Sequence, residues 1–127
     1  MTPDEMKTLV ERYIAAYNRM DVDEMLLTVH PDVEFKNISA GMVNASTTGI
    51  SELRALAQQS LSLFTERQQV IESFQCEGSR AQVAIVFRAV VASDLPNGLK
   101  SGQVLNLTGR SEFEFHDGAI SKITDIS

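Results

Sequence analysis

The 127 residues suit one compact domain with a core of ordinary size. The composition, 43% hydrophobic and 22% charged, is that of a globular chain. A net charge of −6 excludes a nucleic-acid or anionic-membrane surface as the partner, since both demand basic side chains.

No apolar run reaches transmembrane length. The acidic start, Met1 to Glu5, has no apolar signal core, which points to the cytoplasm. Cys76 is the only cysteine and cannot close an internal disulfide. With only His30 and His116 beside it, a closed four-ligand zinc site is also excluded, so no metal and no cofactor is expected.

The first helix is announced by Thr2 as cap, Pro3 in the first helical position and Glu5 three residues after the cap. Met6, Leu9, Val10, Tyr13, Ile14 and Tyr17 then form one apolar stripe, and the helix ends at Asn18. Asp21 and Glu24 repeat the capping pattern for a second, short helix with Met25, Leu26 and Val29 facing inward and Pro31 as its stop. Val33 to Ile38 has the pattern of a short strand. Ser39 to Gly49 is small and polar and suggests a loop or loose hairpin. Ile50 to Phe64 predicts a third helix with Leu53, Leu56, Ala57, Leu61 and Phe64 on one face.

From Glu66 onward the chain turns to β-structure. Gln68 to Cys76 predicts a strand, Glu77-Gly78-Ser79 a turn, and Arg80 to Ser93 a long strand. Both faces of that strand are apolar: Val83, Ile85, Phe87, Ala89 and Val91 on one, Ala84, Val86, Val90 and Ala92 on the other. Antiparallel strands usually show one face to water, so a second copy of the sheet is the economical cover. A long bulged strand is the alternative. Asp94 to Gly98 predicts a turn, Gln103 to Phe115 another strand, His116-Asp117-Gly118 a hairpin turn, and Ala119 to Ile126 the last strand. The order implies an α+β fold, a curved antiparallel sheet wrapped over helices. Glu72 falls in phase with Val70 and Phe74 and faces inward unless a bulge intervenes. His30 suits a surface or capping role and His116 solvent exposure.

This order, with Tyr13-x-x-Ala16-Tyr17-Asn18-x-x-Asp21, His30-Pro31-Asp32-Val33-Glu34-Phe35, Gly49 and Phe113-Glu114-Phe115-x-Asp117-Gly118, resembles the NTF2-like superfamily, and within it the SnoaL-like and ketosteroid-isomerase-like proteins. The resemblance spans nearly the whole chain. It implies a cone-shaped half-barrel over three helices with an apolar pocket for a small hydrophobic molecule, in homodimers joined through the sheet.

In a ketosteroid isomerase the base would fall on Asn37, with Tyr13 and Ser111 at the oxyanion-donor positions. An amide cannot take a proton from carbon, so that mechanism loses its base here. Against epoxide hydrolases of the same fold, Phe35-Lys36-Asn37 keeps the asparagine of a Tyr-x-Asn pair. Arg88 keeps the arginine of Arg-x-Asp, with Val90 in place of the acid, and Asp125 matches the acid of the last strand. The first comparison turns Phe87 to the pocket and the second turns Arg88 there, and one strand cannot do both without a bulge. If Arg88 is buried, Asp125 and Glu112 are its candidate partners.

The resulting expectation is an enzyme of a small hydrophobic or polyketide-like compound. Asp125 would act as acid/base, Asn37 would hold water or a carbonyl, and Tyr13 would donate a hydrogen bond. Tyr17, Phe35, Arg88, Ser111 and Phe113 would contact the ligand. The alternatives are a non-catalytic binder of a hydrophobic ligand and a protein-interaction module.

Overall fold

A computed structural model describes residues 1–127. The elements run α1 (Pro3–Asn18), α2 (Val22–Leu26), β1 (Val29–Ser39), β2 (Met42–Thr48), α3 (Ile50–Ser60), β3 (Phe64–Glu77), β4 (Arg80–Val91), β5 (Val104–His116) and β6 (Ala119–Ile126). Six strands form one curved, unclosed sheet in the order β2-β1-β6-β5-β4-β3, with the helices over its inner face. This is the α+β arrangement that the element order implied, in the half-barrel form that the family resemblance implied. One pairing departs from the expected antiparallel pattern: β6 lies parallel to β1 and antiparallel to β5.

The helix starts follow the sequence. Thr2 Oγ1 accepts the N–H of Glu5 and the Glu5 carboxylate accepts the N–H of Thr2, so two free donors of α1 are satisfied reciprocally. Those bonds hold the Glu5 carboxyl below its usual range. Met6, Val10, Tyr13 and Ile14 bury the stripe against the sheet. Asp21 caps α2 through the N–H of Glu24.

Several boundaries move. α2 ends at Leu26, and β1 begins at Val29, so Pro31 lies inside the strand. It falls where the β1–β6 register is broken between Val29 and Glu34, and there a residue without an N–H leaves no ladder bond unmade. The polar stretch after Ser39 is a true hairpin strand, β2. α3 stops at Ser60, and Phe64 opens β3 instead of ending the helix. Glu72 is exposed because the β3–β4 register shifts between Ile71 and Ser73, a bulge that turns Ile71 and Phe74 inward.

β4 has the expected inner phase: Ala81, Val83, Ile85, Ala89 and Val91 are buried. Its outer residues Ala84, Val86 and Val90 remain half-exposed, beside the exposed Val70 of β3 and Val104 of β5.

Gly109 of β5 sits where β6 comes closest. A Cβ there would stand 2.6 Å from the backbone oxygen of Ile126, which no side-chain rotation relieves. Gly109→Ala is therefore expected to destabilise the fold by about 1–3 kcal/mol, read as a lower urea midpoint with an unchanged m-value.

Candidate functional site

The register aligns a row of residues across three strands. Asn37 on β1 pairs with Asp125 on β6, and Asp125 pairs with Ser111 on β5. Side chains in register share a face, so these three converge on the concave side of the sheet. They line a cavity of about 420 Å³ with Tyr17 from α1 and Ile85 and Phe87 from β4. Six of its seventeen lining residues are hydrophobic, so the cavity is mixed in character, where an apolar one was expected.

Asp125 forms the floor. Ser111 Oγ donates to its Oδ1 at 2.7 Å. The carboxyl group is ringed by protein atoms, while the residue keeps some surface through the cavity mouth. Burial pushes its pKa up to about 6, and the bond from Ser111, which favours the charged form, opposes that rise. A carboxyl with this poise takes and returns protons near neutral pH. Asn37 Nδ2 donates to Asn44 Oδ1 at 2.7 Å, which fixes the amide at the rim and leaves its carbonyl and second N–H for a ligand.

The aromatic candidates divide. Tyr17 forms part of the wall and packs against Phe87, with ring centroids 6.4 Å apart. Tyr13 stands behind the cavity in the core, edge-on to Phe113 at 6.2 Å. Burial raises the pKa of both tyrosines, and the nearby Asp125 charge adds to the rise in each. Both phenols therefore stay protonated donors. Phe113 is fully buried and Phe35 packs half-buried against the same core, so neither lines the cavity.

Arg88 is a correction. It lies on the outer face, exposed, with Nη1 3.4 Å from Glu66 Oε2, and neither Asp125 nor Glu112 is its partner. Phe87 takes the cavity side, because β4 keeps a strict alternation through this region. Both histidines lie outside the cavity.

A residue that the sequence reading missed is Arg67 on β3, only 6% exposed. Its Nε donates to the carbonyl of Tyr17 at 2.9 Å, and its guanidinium carbon lies 3.7 Å above the Tyr17 ring. Its Nη2 is buried with no hydrogen-bond partner, and Arg67 belongs to none of the ion pairs. Desolvation lowers its pKa, yet a guanidinium remains charged, so the interior holds a cation with no acid beside it. The one available signal was its phase with Gln69 and Ile71. In a run as polar as Thr65 to Gln69, that phase does not stand out.

A larger groove of about 740 Å³ crosses the β3–β4 turn near Glu77, Arg80, Glu112 and Lys122. It is polar, contains neither Asp125 nor Tyr17, and gathers no set of groups with a shared chemical task.

Residues 10–123 match the SnoaL-like domain. The chain belongs to the SnoaL-like family. Solved structures of similar shape include a candidate polyketide cyclase from Xanthomonas campestris pv. campestris, 26% identical, with a TM-score of 0.80 over 98% of this chain and 90% of that one. TerC co-crystallised with polyporic acid is 18% identical at a TM-score of 0.77, over 98% and 91%. An epoxide hydrolase of the LEH-like type from M. tuberculosis is 15% identical at a TM-score of 0.77, over 97% and 82%. A search of curated protein sequences finds no match. Similar shapes carry such different chemistries that only this SnoaL-like chain's own side chains can decide between them. No helix of the chain is long and apolar enough to cross a membrane.

Proposed function

We propose that this SnoaL-like chain is an enzyme that moves protons to and from carbon on a small, ring-containing carbonyl compound of the polyketide-like class, as an isomerase or cyclase. The observation that carries the reading is Asp125, held by Ser111 at the cavity floor with its pKa near 6. As a carboxylate it takes a proton from the carbon beside a substrate carbonyl. Tyr17 donates its hydroxyl proton into a hydrogen bond with the enolate oxygen that forms, and the uncompensated charge of Arg67 behind the Tyr17 ring favours that negative charge. Asn37 orients the carbonyl from the rim. The proton on Asp125 then returns either to a different carbon, giving an isomer, or to the alkoxide left when the enolate carbon attacks a second carbonyl, giving a ring. Tyr13, first assigned the donor role, acts here by holding Phe113 and the floor in place.

The test is deuterium uptake by β-tetralone in heavy water, followed by NMR. Catalysed uptake at the carbon beside the carbonyl is expected, rising with pH through about 6 as Asp125 ionises. Ser111→Ala is expected to move that rise to higher pH, since the bond it removes favours the charged form. β-Tetralone that binds in the cavity without catalysed uptake would overturn the enzyme reading in favour of a non-catalytic binder.

The partner we propose is a second copy of the chain. Val70, Val86, Val90 and Val104 make an outer sheet patch that a self-complementary interface would cover. Sedimentation equilibrium is expected to give twice the 14.0 kDa chain mass, and a monomer mass would remove this partner.

A further inference from the structure

The two histidines, excluded from a closed zinc site by their number, meet at the far end of the sheet. His30 stands near the start of β1, His116 ends β5, and Asp117 occupies the β5–β6 turn. A ligand atom from each lies within 4.8 Å of the others. We propose that His30, His116 and Asp117 form an open binding site for a divalent transition-metal cation such as Zn2+.

The turn presents the ligands. Asp117 and Gly118 have φ of 51° and 74°, the left-handed pair of a tight hairpin turn, which sets the Asp117 carboxylate beside its neighbour. Asp117 Oδ2 lies 3.3 Å from His116 Nε2. The His30 and His116 rings are 5.6 Å apart between centroids. With bonds of about 2.0–2.1 Å to a tetrahedral zinc, ligand atoms stand roughly 3.3 Å apart. The His116–Asp117 pair has that spacing already, and both side chains are exposed and free to rotate toward His30.

His30 has an alternative partner ready. Its Nδ1 accepts the N–H of Asp32 at 3.0 Å, while Asp32 Oδ2 lies 4.0 Å from the same atom. A cation on Nε2 requires the proton on Nδ1, so the Asp32 N–H gives up that acceptor and the Asp32 carboxylate turns in to accept the Nδ1 proton, the usual support for a metal-bound imidazole. A hollow lined by His30 and His116 also holds Asp32, Glu34 and Glu114, with Lys122 its one lysine and no arginine, so the local charge favours a cation. Two imidazoles and one carboxylate select zinc, nickel or cobalt over magnesium or calcium.

The site lies away from Asp125 chemistry. His116 lies five positions beyond Ser111 on β5, roughly 16 Å of strand. Its consequence is mechanical: the cation would tie the irregular start of β1 to the β5–β6 turn, in the stretch where the β1–β6 ladder is broken.

Chelator-stripped protein titrated with Zn2+ in a calorimeter at pH 7.5 is expected to bind one equivalent per chain with micromolar affinity and to gain thermal stability. His116→Ala, at an exposed position that leaves the fold intact, is expected to abolish it, as is His30→Asn. Asp32→Asn should weaken it about tenfold. The absence of saturable Zn2+ binding, binding that survives either histidine change, or equal affinity for Mg2+ would each overturn the proposal. All three readings are independent of whether the cavity is catalytic.

Discussion

Asp125→Asn is expected to give a protein that is more stable than the wild type at pH 8 and catalytically dead. Burial raises the Asp125 pKa from the ordinary 3.8 to about 6, so the folded protein holds its proton where the unfolded chain has released it. A raised carboxyl pKa contributes no penalty below the unfolded value, where both states are protonated. Stability is then lost as pH rises between about 4 and 6, and above 6 the folded state carries a charge it solvates poorly. The difference corresponds to at most about 3 kcal/mol. Asparagine keeps the shape and still accepts the Ser111 hydroxyl, but it has no charge to desolvate. The variant's advantage should appear across pH 4 to 6, reach its plateau above 6 and vanish at pH 4. Urea unfolding at a series of pH values measures it. A variant no more stable than wild type at pH 8 would mean that the carboxylate is well solvated, and the reason for calling it an acid/base group would go with it.

The largest loss is expected at Phe113→Ala. Phe113 is 2% exposed, and Tyr13 rests edge-on against it. It follows Ser111 by two residues on the same face of β5, directly opposite Ile123 of β6. Removing the ring leaves a cavity that α1 can only partly close, at a cost of about 3–5 kcal/mol. The measurement is the urea midpoint, and a change below about 1 kcal/mol would show that the helix relaxes onto the sheet. Because Phe113 backs the strand that carries Ser111, the floor under Asp125 loosens and the catalytic signal should fall even at temperatures where the variant remains folded.

The sequence was most informative where burial imposed a period. The stripe of α1 and the inner phase of β4 appear where the pattern of apolar residues placed them, and the β5–β6 hairpin where His116-Asp117-Gly118 marked its turn. β2 had no such pattern, because it is an edge strand whose side chains are mostly exposed, and Met42 to Thr48 therefore suited a loop as well as a loose hairpin. Pro31 looked like a helix stop because a proline inside a strand is tolerated only where the ladder is already interrupted, and that depends on β6, ninety residues away in the chain. At the site, Asn37, Ser111 and Asp125 could be named from the resemblance, but their convergence is a matter of register. Arg88 and Phe87 were equally plausible until the alternation of β4 had a fixed starting point. Arg67 was missed because a charged residue in a polar run gives no sign that a helix end covers it.

The position of β6 sets an order of events in folding. It is the last strand of the chain, yet it lies between β1 and β5, so the β1–β2 hairpin and the β3–β4–β5 meander are joined within the sheet only through it. Each of those pieces can pair locally and early. The parallel β1–β6 pairing closes a loop of nearly the whole chain, and such non-local contacts form late. Asp125 joins Ser111 through the local β5–β6 hairpin, while Asn37 waits on the other piece until β1 docks beside β6. A folding intermediate with native hairpins would therefore hold the Ser111–Asp125 pair and lack Asn37 beside it.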